Sequence, residues 1–342
     1  MDGSGNLGNV AISSRVRLAR NLEDVPFPHL LSGKDADLVL KKVFQTVGRV
    51  GERGFGGPII QTSLSDISPL DCQVLVEKHL ISPQHAVSKT GKGLVLRYDE
   101  SVAIMVNEED HLRLQVLRSG LELDEAWVLA SGIDDLCEQG LDYAYDEQIG
   151  YLTSCPTNAG TGLRASVMVH LPALAVANEI SRVLTAVNKV GLVVRGLYGE
   201  GTEGQGNVFQ ISNQITLGQT EKEIIENLSL VVKQVVSEEI RVRETLFKNH
   251  RIEVEDRVFR ALGLLSNARK ITSDEAIKLW SDLRLGAEFH MIPGLTISDV
   301  NEILVLSRPN YVQKVFETTL TAQERDIRRA DLIRKHLSSK GV

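Results

Sequence analysis

Cysteine is scarce in this chain of 342 residues, which holds only Cys72, Cys137 and Cys155. An odd number at wide spacing suggests neither a disulfide framework nor a Cys-x-x-Cys metal site, and it suits a reducing, cytoplasmic setting. Long apolar runs are lacking too. The most apolar stretch, Ala165 to Ala177, is too short to span a bilayer and contains His170 and Pro172, so no membrane anchor is expected. Met1 to Asn9 is rich in glycine and asparagine and has no apolar core, unlike a signal peptide. Positive charge is not in excess: 38 Lys and Arg against 45 Asp and Glu leave a net charge of −7. That balance argues against direct nucleic-acid binding while leaving room for local basic pockets. There is no Walker A motif and no H-R-D or D-F-G set, so P-loop and eukaryotic-type protein-kinase chemistry are unsupported. No internal repeat or low-complexity tract is present. What remains is the composition of an ordinary soluble globular protein, 42% hydrophobic and 24% charged, long enough for one large domain with or without a small one.

Residues 1–12 read as a flexible lead. Lys34 to Val50 reads as a helix, with apolar positions at Leu38, Val43, Phe44 and Val47. Strand candidates are Gly93 to Tyr98, Ser101 to Val106, Trp127 to Ser131, Tyr151 to Cys155, Ser166 to Leu171, Leu192 to Leu197 and Asn207 to Thr216, with a helical pattern over Leu174 to Asn188. Many strands with short, uneven connections predict an α+β domain built on a largely antiparallel sheet flanked by helices. Thr220 with Glu223 has the form of a capping box, opening a long helix with Ile225, Leu228, Val232 and Val235 on one face. From Arg251 onward strand patterns stop and helix starts recur: Thr272 with Glu275, Ser298 before Val300, Thr321 with Glu324. The expected organisation is an α+β domain over 13–248 and a small all-helical domain over 251–342, frayed after Ser338.

The stretch from Cys155 to Val167 puts a potential thiolate, Gly160, Gly162 and the fixed cation Arg164 within about ten residues. Arginine could lower the thiol pKa and glycines let a substrate approach the backbone; the alternative is a buried free cysteine in a turn. Gly199 to Gly204 matches G-x-G-x-x-G and follows a strand. The next segment reads as another strand rather than a helix, which rules out the dinucleotide-binding reading and leaves a glycine-rich hairpin loop with Glu200 at its mouth. Ser13-Ser14-Arg15-Val16-Arg17 places two arginines at i and i+2, on one face if the segment is extended. Arg113, Arg164 and Arg195 each follow or flank a strand-like run. Together the five could cradle a triphosphate without a P-loop; singly, each reads as a surface ion-pair partner. Asn107-Glu108-Glu109-Asp110-His111, at a strand end, is either a solvated turn or a source of a base or metal contact. His79 alone reads as a helix-surface or core histidine. Arg325 and Arg329 lie one turn apart on a predicted helix, as a charged exterior or a small anion clamp, with Ile327, Ala330, Ile333 and Leu337 as its buried side.

Ser13 to Arg17, Asn107 to Arg113, Cys155 to Val167 and Arg195-Gly196-Leu197-Tyr198-Gly199-Glu200 occur in the order and spacing of the phosphagen (guanidino) kinase catalytic domain. The chain resembles that family over roughly residues 10–245. It departs from arginine and creatine kinases in two ways. They carry a helical domain before the first arginine pair, which here lies near the N-terminus, and they lack an all-helical C-terminal domain. The pattern Arg325-Asp326-x-x-Arg329-Ala330 is similar to a signature of the bacterial protein arginine kinase branch. The resemblance implies ATP-dependent phosphorylation of arginine side chains on proteins. It implies that Glu109 and Glu200 hold the substrate guanidinium with Cys155 beside it. The ATP contacts would come from Ser13, Ser14, Arg15, Val16 and Arg17, from His79 on the adenine side, from Arg113, from Arg164, Ala165, Ser166, Val167 and Met168, and from Arg195, Gly196, Leu197, Tyr198 and Gly199. Mg2+ would bridge the phosphates, with no protein metal-ligand set of its own. Arg325, Asp326, Arg329 and Ala330 would bind phosphoarginine as an allosteric site, in a domain that supports a homodimer or higher homo-oligomer. The implied setting is protein quality control and heat-shock regulation, with the activator McsA, the repressor CtsR and a Clp protease. A kinase of free arginine and a non-catalytic phosphoarginine-binding adaptor are the alternatives.

The chemistry accounts for these residue types. A guanidinium has a pKa above about 12 and is a poor nucleophile until it loses a proton. Two carboxylates can orient the planar group and accept that proton. Positioned arginines and Mg2+ stabilise the loose, anionic transition state of phosphoryl transfer.

Overall fold

The computed structural model describes residues 3–196 and 204–342. Leu197, Tyr198, Gly199 and Glu200 lie outside the described residues. The strands are β1 (Ala11–Arg20), β2 (Ile59–Ser63), β3 (Gly93–Arg97), β4 (Val102–Val106), β5 (Leu112–Ser119), β6 (Tyr145–Asp146), β7 (Gly150–Tyr151), β8 (Leu163–His170), β9 (Leu192–Gly196) and β10 (Val208–Asn213). Eight of them form one antiparallel sheet in the order β2-β3-β4-β5-β1-β8-β10-β9, and β6 and β7 pair separately. The helices are α1 (Gly33–Phe55), α2 (Pro69–Glu77), α3 (Pro83–Val87), α4 (Leu123–Glu138), α5 (Pro172–Val176), α6 (Ile180–Lys189), α7 (Glu221–Asn249), α8 (Arg251–Asn267), α9 (Ser273–Glu288), α10 (Ile297–Leu306), α11 (Pro309–Val315) and α12 (Ala322–Ser339). No helix among the described residues is long and apolar enough to cross a membrane.

Alternation along the central strands divides the sheet into two faces. Val16 and Leu18, with Val102, Ile104, Leu114, Val116, Ala165 and Val167, point to the face covered by α1, α4 and α7 and form the main core. The opposite face is covered only at its margins. At one edge Leu94, Ala103 and Met105 pack under the segment carrying α2 and α3, against Leu64, Cys72 and Ile81. Elsewhere Ile12, Met168 and Val208 join a second core with Val258, Ile277, Trp280 and Ile303 of the helical region. The sheet between these two coverings is left open as a cleft.

The helical region follows α7 without a spacer, since His250 ends α7 and begins α8. It is clamped to the sheet by Arg284, which donates to the carbonyls of Gly8 and Asn9, to Asn301 Oδ1 and to His170 Nδ1. His170 therefore carries its proton on Nε2, 2.8 Å from Ser281 Oγ.

Several local expectations are corrected. Trp127 to Ser131 lies inside α4, because Leu123, Ala126, Ala130, Ile133 and Cys137 bury at helical spacing. The strand expected over Tyr151 to Cys155 shrinks to Gly150–Tyr151. The helix expected over Leu174 to Asn188 breaks at Asn178, which takes a positive φ of 57°. The expected flexible lead is packed instead: Val10 and Ala11 are fully buried, and β1 begins at Ala11. Strands β2 and β5 were not anticipated. Thr220–Glu223 and Thr321–Glu324 form complete capping boxes. The start near Ser298 is capped by Thr296 with Asp299.

Candidate active site

Register brings five arginines to the open face. In β1, Arg17 lies opposite Arg164 of β8 and Gln115 of β5, and Ala19 lies opposite Arg113. Arg15 faces Ser166, Met168 faces Gln210, and Gln210 faces Arg195 of β9. Directly opposed residues share a face, so Arg15, Arg17, Arg113, Arg164 and Arg195 all project to one side. Like charges at this spacing repel. Burial, then the charges of Arg15, Arg113 and Arg164, push the Arg17 guanidinium well below its ordinary range. Arg164 is lowered by burial, then by Arg195 and Arg113. Guanidinium groups remain charged at neutral pH even so. Nε of Arg17 and of Arg164 is buried without a hydrogen-bond partner among the described residues. Arg15 donates to Gln210 Oε1 at 3.0 Å and to Ser166 Oγ at 3.4 Å. A face so constructed is complementary to a multiply charged anion.

The turn between β4 and β5 separates its three acids into three tasks. Glu108 is buried, 2.6 Å from Arg113 Nη1, and accepts from Ser82 Oγ at 2.5 Å. Burial alone would raise its carboxyl pKa, but Arg113 and the Ser82 hydrogen bond bring it below the ordinary value. Asp110 turns inward and accepts from Asn21 Nδ2 and the Ser154 amide. Glu109 is left at the cleft, half-exposed and 3.7 Å from Arg113. Its pKa is raised by burial, against Arg113 and with help from Asp110 and Glu108.

Cys155 caps a short 3₁₀ turn, Pro156–Asn158, and its Sγ lies 3.0 Å from Thr157 Oγ1. Thr216 Oγ1 hydrogen-bonds the carbonyls of Thr157 and Ala159 and so holds the turn. Gly162 takes φ 64°, and a Cβ there would lie 2.6 Å from the Ala19 carbonyl, so the loop passes β1 only with glycine at this position. Cys155 and Glu109 both lie within electrostatic reach of Arg164.

The cleft comprises two adjoining cavities of about 800 and 750 Å³. The first is lined by Arg15, Arg17, Lys92, Glu108, Glu109 and Arg113; the second has apolar walls at Ile12, Leu117, Met168 and Val305. Arg15, Glu77, His79 and Arg308 border both. Each is within the size range of a small-molecule or cofactor site, about 300–1,000 Å³. His79 terminates α2 in a left-handed conformation, φ 60°, where glycine is usual. Its imidazole pKa falls to about 4 through burial and the charges of Arg15 and Arg308.

The chain matches two described families: the ATP:guanido phosphotransferase C-terminal catalytic domain over residues 40–242, and the protein-arginine kinase McsB C-terminal domain over residues 251–341. It is 50% identical over 342 residues to the protein-arginine kinase of Pelotomaculum thermopropionicum, covering 100% of this chain and 96% of that protein. It is 47% identical over 337 residues to that of Bacillus subtilis, covering 98% of this chain and 92% of the relative. This chain belongs to the protein-arginine kinase family. Among solved structures, the duplicated taurocyamine kinase of Schistosoma mansoni with bound transition-state analogue components is 26% identical with a TM-score of 0.62, over 71% of this chain and 36% of that one. Lombricine kinase, at 24% identity and a TM-score of 0.58 over 72% and 70% of the two chains, shows the shared fold.

Within this protein-arginine kinase, the segments 13–17, 109–113 and 164–168, with Arg195 and Gly196, lie on the cleft face or its strands, and the Cys155 loop is joined to the Glu109 turn by the Ser154 amide on Asp110. Arg325, Asp326, Arg329 and Ala330 form a separate group on α12. Arg329 is only 2% exposed and donates to the carbonyls of Ser307 and Ile271 and to Asp326 Oδ1 at 2.7–2.8 Å. Ala330 is buried, while Ile327, expected inside, is 40% exposed. Sequence reasoning missed Asn21, Glu77, Glu108 as an ion-pair partner, Asp110 as an anchor, and Arg308. Asn21, Glu77, Asp110 and Arg308 act through contacts across long sequence separations, and Glu108 is told from its acidic neighbours only by its partners Arg113 and Ser82.

Proposed function

We propose that this protein transfers the γ-phosphoryl group of ATP to arginine side chains of proteins. The observation that carries this reading is the sheet face bearing Arg15, Arg17, Arg113, Arg164 and Arg195 beside the Glu109 turn and the Cys155 loop. The adenosine lies in the apolar-walled cavity with His79 near the base, and the phosphates lie on the arginines. Ser13, Ser166 and Met168 line the strand surface under the nucleotide, while Ser14, Val16, Ala165, Val167 and Gly196 contribute strand backbone, Val16, Ala165 and Val167 turning their side chains to the core. Leu197, Tyr198, Gly199 and Glu200 complete the site by family resemblance. Glu109 and Glu200 orient the substrate guanidinium, and the Cys155 sulfur adds negative charge beside it. The N–P bond forms as the bond from phosphorus to the β–γ bridging oxygen breaks, ADP leaves, and a carboxylate accepts the guanidinium proton. A carboxyl pKa raised above its ordinary value, as at Glu109, suits a proton acceptor.

The arginine face offers donors and few oxygens, and among the described residues no three His, Cys, Asp or Glu side chains converge. Mg2+ prefers phosphate oxygens, water and one or two carboxylates. It would therefore arrive with the nucleotide, with Glu109 as the cleft carboxylate in position to meet its water shell, and would neutralise charge on the phosphates. Arg325, Asp326, Arg329 and Ala330 bind phosphoarginine, and the helical domain supports a homodimer or higher homo-oligomer. The protein works in the cytoplasm in quality control and heat-shock regulation, with McsA, CtsR and a Clp protease as partners.

Incubation with γ-labelled ATP and either an unfolded protein or free arginine tests the assignment. Acid-labile label on the protein, lost in Glu109→Gln, is expected. Label on free arginine alone makes the enzyme a small-molecule guanidino kinase, and no transfer at all leaves an adaptor.

A further inference from the structure

Arg308 stands where the two cavities of the cleft meet, and it comes from the helical region rather than from the sheet. On one side are the sheet arginines that suit the β- and γ-phosphates. On the other are the apolar walls that suit a base. A nucleotide spanning both must pass its ribose and α-phosphate among Arg15, Glu77, His79 and Arg308, the Glu77 carboxylate being turned onto Asn310 and Tyr311.

The position of Arg308 is built from two directions. Just after it, the Glu77 carboxylate accepts from the Asn310 amide at 2.9 Å, Asn310 Nδ2 at 2.7 Å and the Tyr311 amide at 2.9 Å. Lys314 and Asp71 add a 2.6 Å ion pair between α11 and α2. Just before it, the Ser307 carbonyl accepts from Arg329 Nε at 2.7 Å. The backbone that carries Arg308 is thus fixed from both sides, and its side chain lines both cavities.

We propose that Arg308 is a nucleotide-binding residue whose guanidinium meets the α-phosphate of ATP, so that the helical region completes the nucleotide site. This rests on the reading of the cleft as the ATP site. It assigns to the helical region a direct contact with the substrate of the transfer, separate from the Arg325 to Ala330 segment.

The test is titration calorimetry of the full-length protein with ATP, AMP and adenosine, on wild type, Arg308→Met, Arg308→Lys and Arg17→Met. Arg308→Met should weaken ATP and AMP roughly 10- to 100-fold while leaving adenosine unchanged. The KM for ATP should rise with kcat little altered, and Arg308→Lys should recover part of the loss. Unchanged AMP and ATP affinity in folded Arg308→Met overturns the proposal. So does an equal loss for adenosine, which would mark a structural role. If Arg308→Met does not fold, full ATP affinity in Arg308→Lys and Arg308→Gln has the same consequence. Failure of wild type to bind ATP, or retention of binding in Arg17→Met, defeats the underlying ATP-site reading instead.

Discussion

Asp110 Oδ1 lies 2.7 Å from the Ser154 amide and accepts its hydrogen bond, while accepting a second from Asn21 Nδ2 at the same distance. One buried carboxylate thus joins the turn that carries Glu109 to the loop that carries Cys155. These segments are far apart in sequence. Asn21, which directly follows Arg20 of β1, ties the same two: its Nδ2 also donates to the Leu152 carbonyl at 3.1 Å and its Oδ1 accepts from the His111 amide at 2.9 Å. The relative placement of acid and thiol is therefore shared between Asp110 and Asn21.

Replacement of Asp110 by alanine should leave two buried donors without an acceptor, at about 1–3 kcal/mol each. The larger effect should be on catalysis, because a misplacement of about 1 Å can cost roughly 100-fold in rate. Asp110→Asn keeps an acceptor oxygen and should lose far less of both. Urea unfolding and kcat, measured on the same preparations, check this. Full kcat in Asp110→Ala would remove Asp110 from the positioning of the site.

The Arg17 and Arg164 side chains face each other across β1 and β8, with Nε buried and unpaired in both. Opposed like charges in a sheet cost roughly 0.2–1 kcal/mol. Arg17→Met should therefore raise the unfolding free energy of the ligand-free protein, measured in urea, by up to about that amount, while abolishing the stabilisation that ATP gives the wild type. A ligand-free stability that falls would show that the guanidinium is already neutralised within the fold.

Much of this arrangement was legible in the sequence. The alternation Arg15-Val16-Arg17-Leu18 tells which side chains share a face whatever the partner strands are, and the Thr220–Glu223 and Thr321–Glu324 boxes mark helix starts by local chemistry alone. The misread elements have physical reasons. Trp127 to Ser131 is a short apolar run whose period is ambiguous until Leu123, Ile133 and Cys137 are seen to share its buried face. Glu108, Glu109 and Asp110 are adjacent and chemically alike, so only their three-dimensional partners divide them into ion pair, cleft acid and anchor. Arg308 belongs to the cleft only because Glu77, over two hundred residues earlier, holds the start of α11.

At the end of α2 the Leu80 amide reaches the Leu75 carbonyl and the His79 amide reaches that of Val76, both at 2.9 Å, which is the Schellman closure with His79 at the left-handed position. A side chain there costs about 1–2 kcal/mol that glycine does not. His79→Gly should leave the fold as stable or slightly more so, and should weaken ATP binding as the wall beside the base is lost. Thermal unfolding and ATP titration separate the two effects. A loss of stability greater than about 1 kcal/mol would make His79 a packing residue.

Four histidines oppose acid in the fold, among them His111, lowered by burial against the Pro26 carbonyl and Asp110. Burial lowers His85 to about 4, with the Gly93 carbonyl opposing and Lys92 assisting, and lowers His79 to about 4 as well. His170 is pushed well below its ordinary value by burial and then by Arg284 and Arg243. All four titrate lower in the folded than in the unfolded chain, whose histidines have pKa near 6.5. Between about pH 6.5 and 4 the unfolded chain binds protons that the folded chain refuses, so stability is full above this window and falls as pH falls through it. Each histidine contributes up to about 1.4 kcal/mol per pH unit. The urea midpoint should therefore drop steeply from pH 6.5 to 5, and His85→Gln should flatten the slope by about one proton. A midpoint constant from pH 7 to 5 would mean that these imidazoles protonate in place, with the Gly93 carbonyl and Ser281 hydroxyl bonds intact.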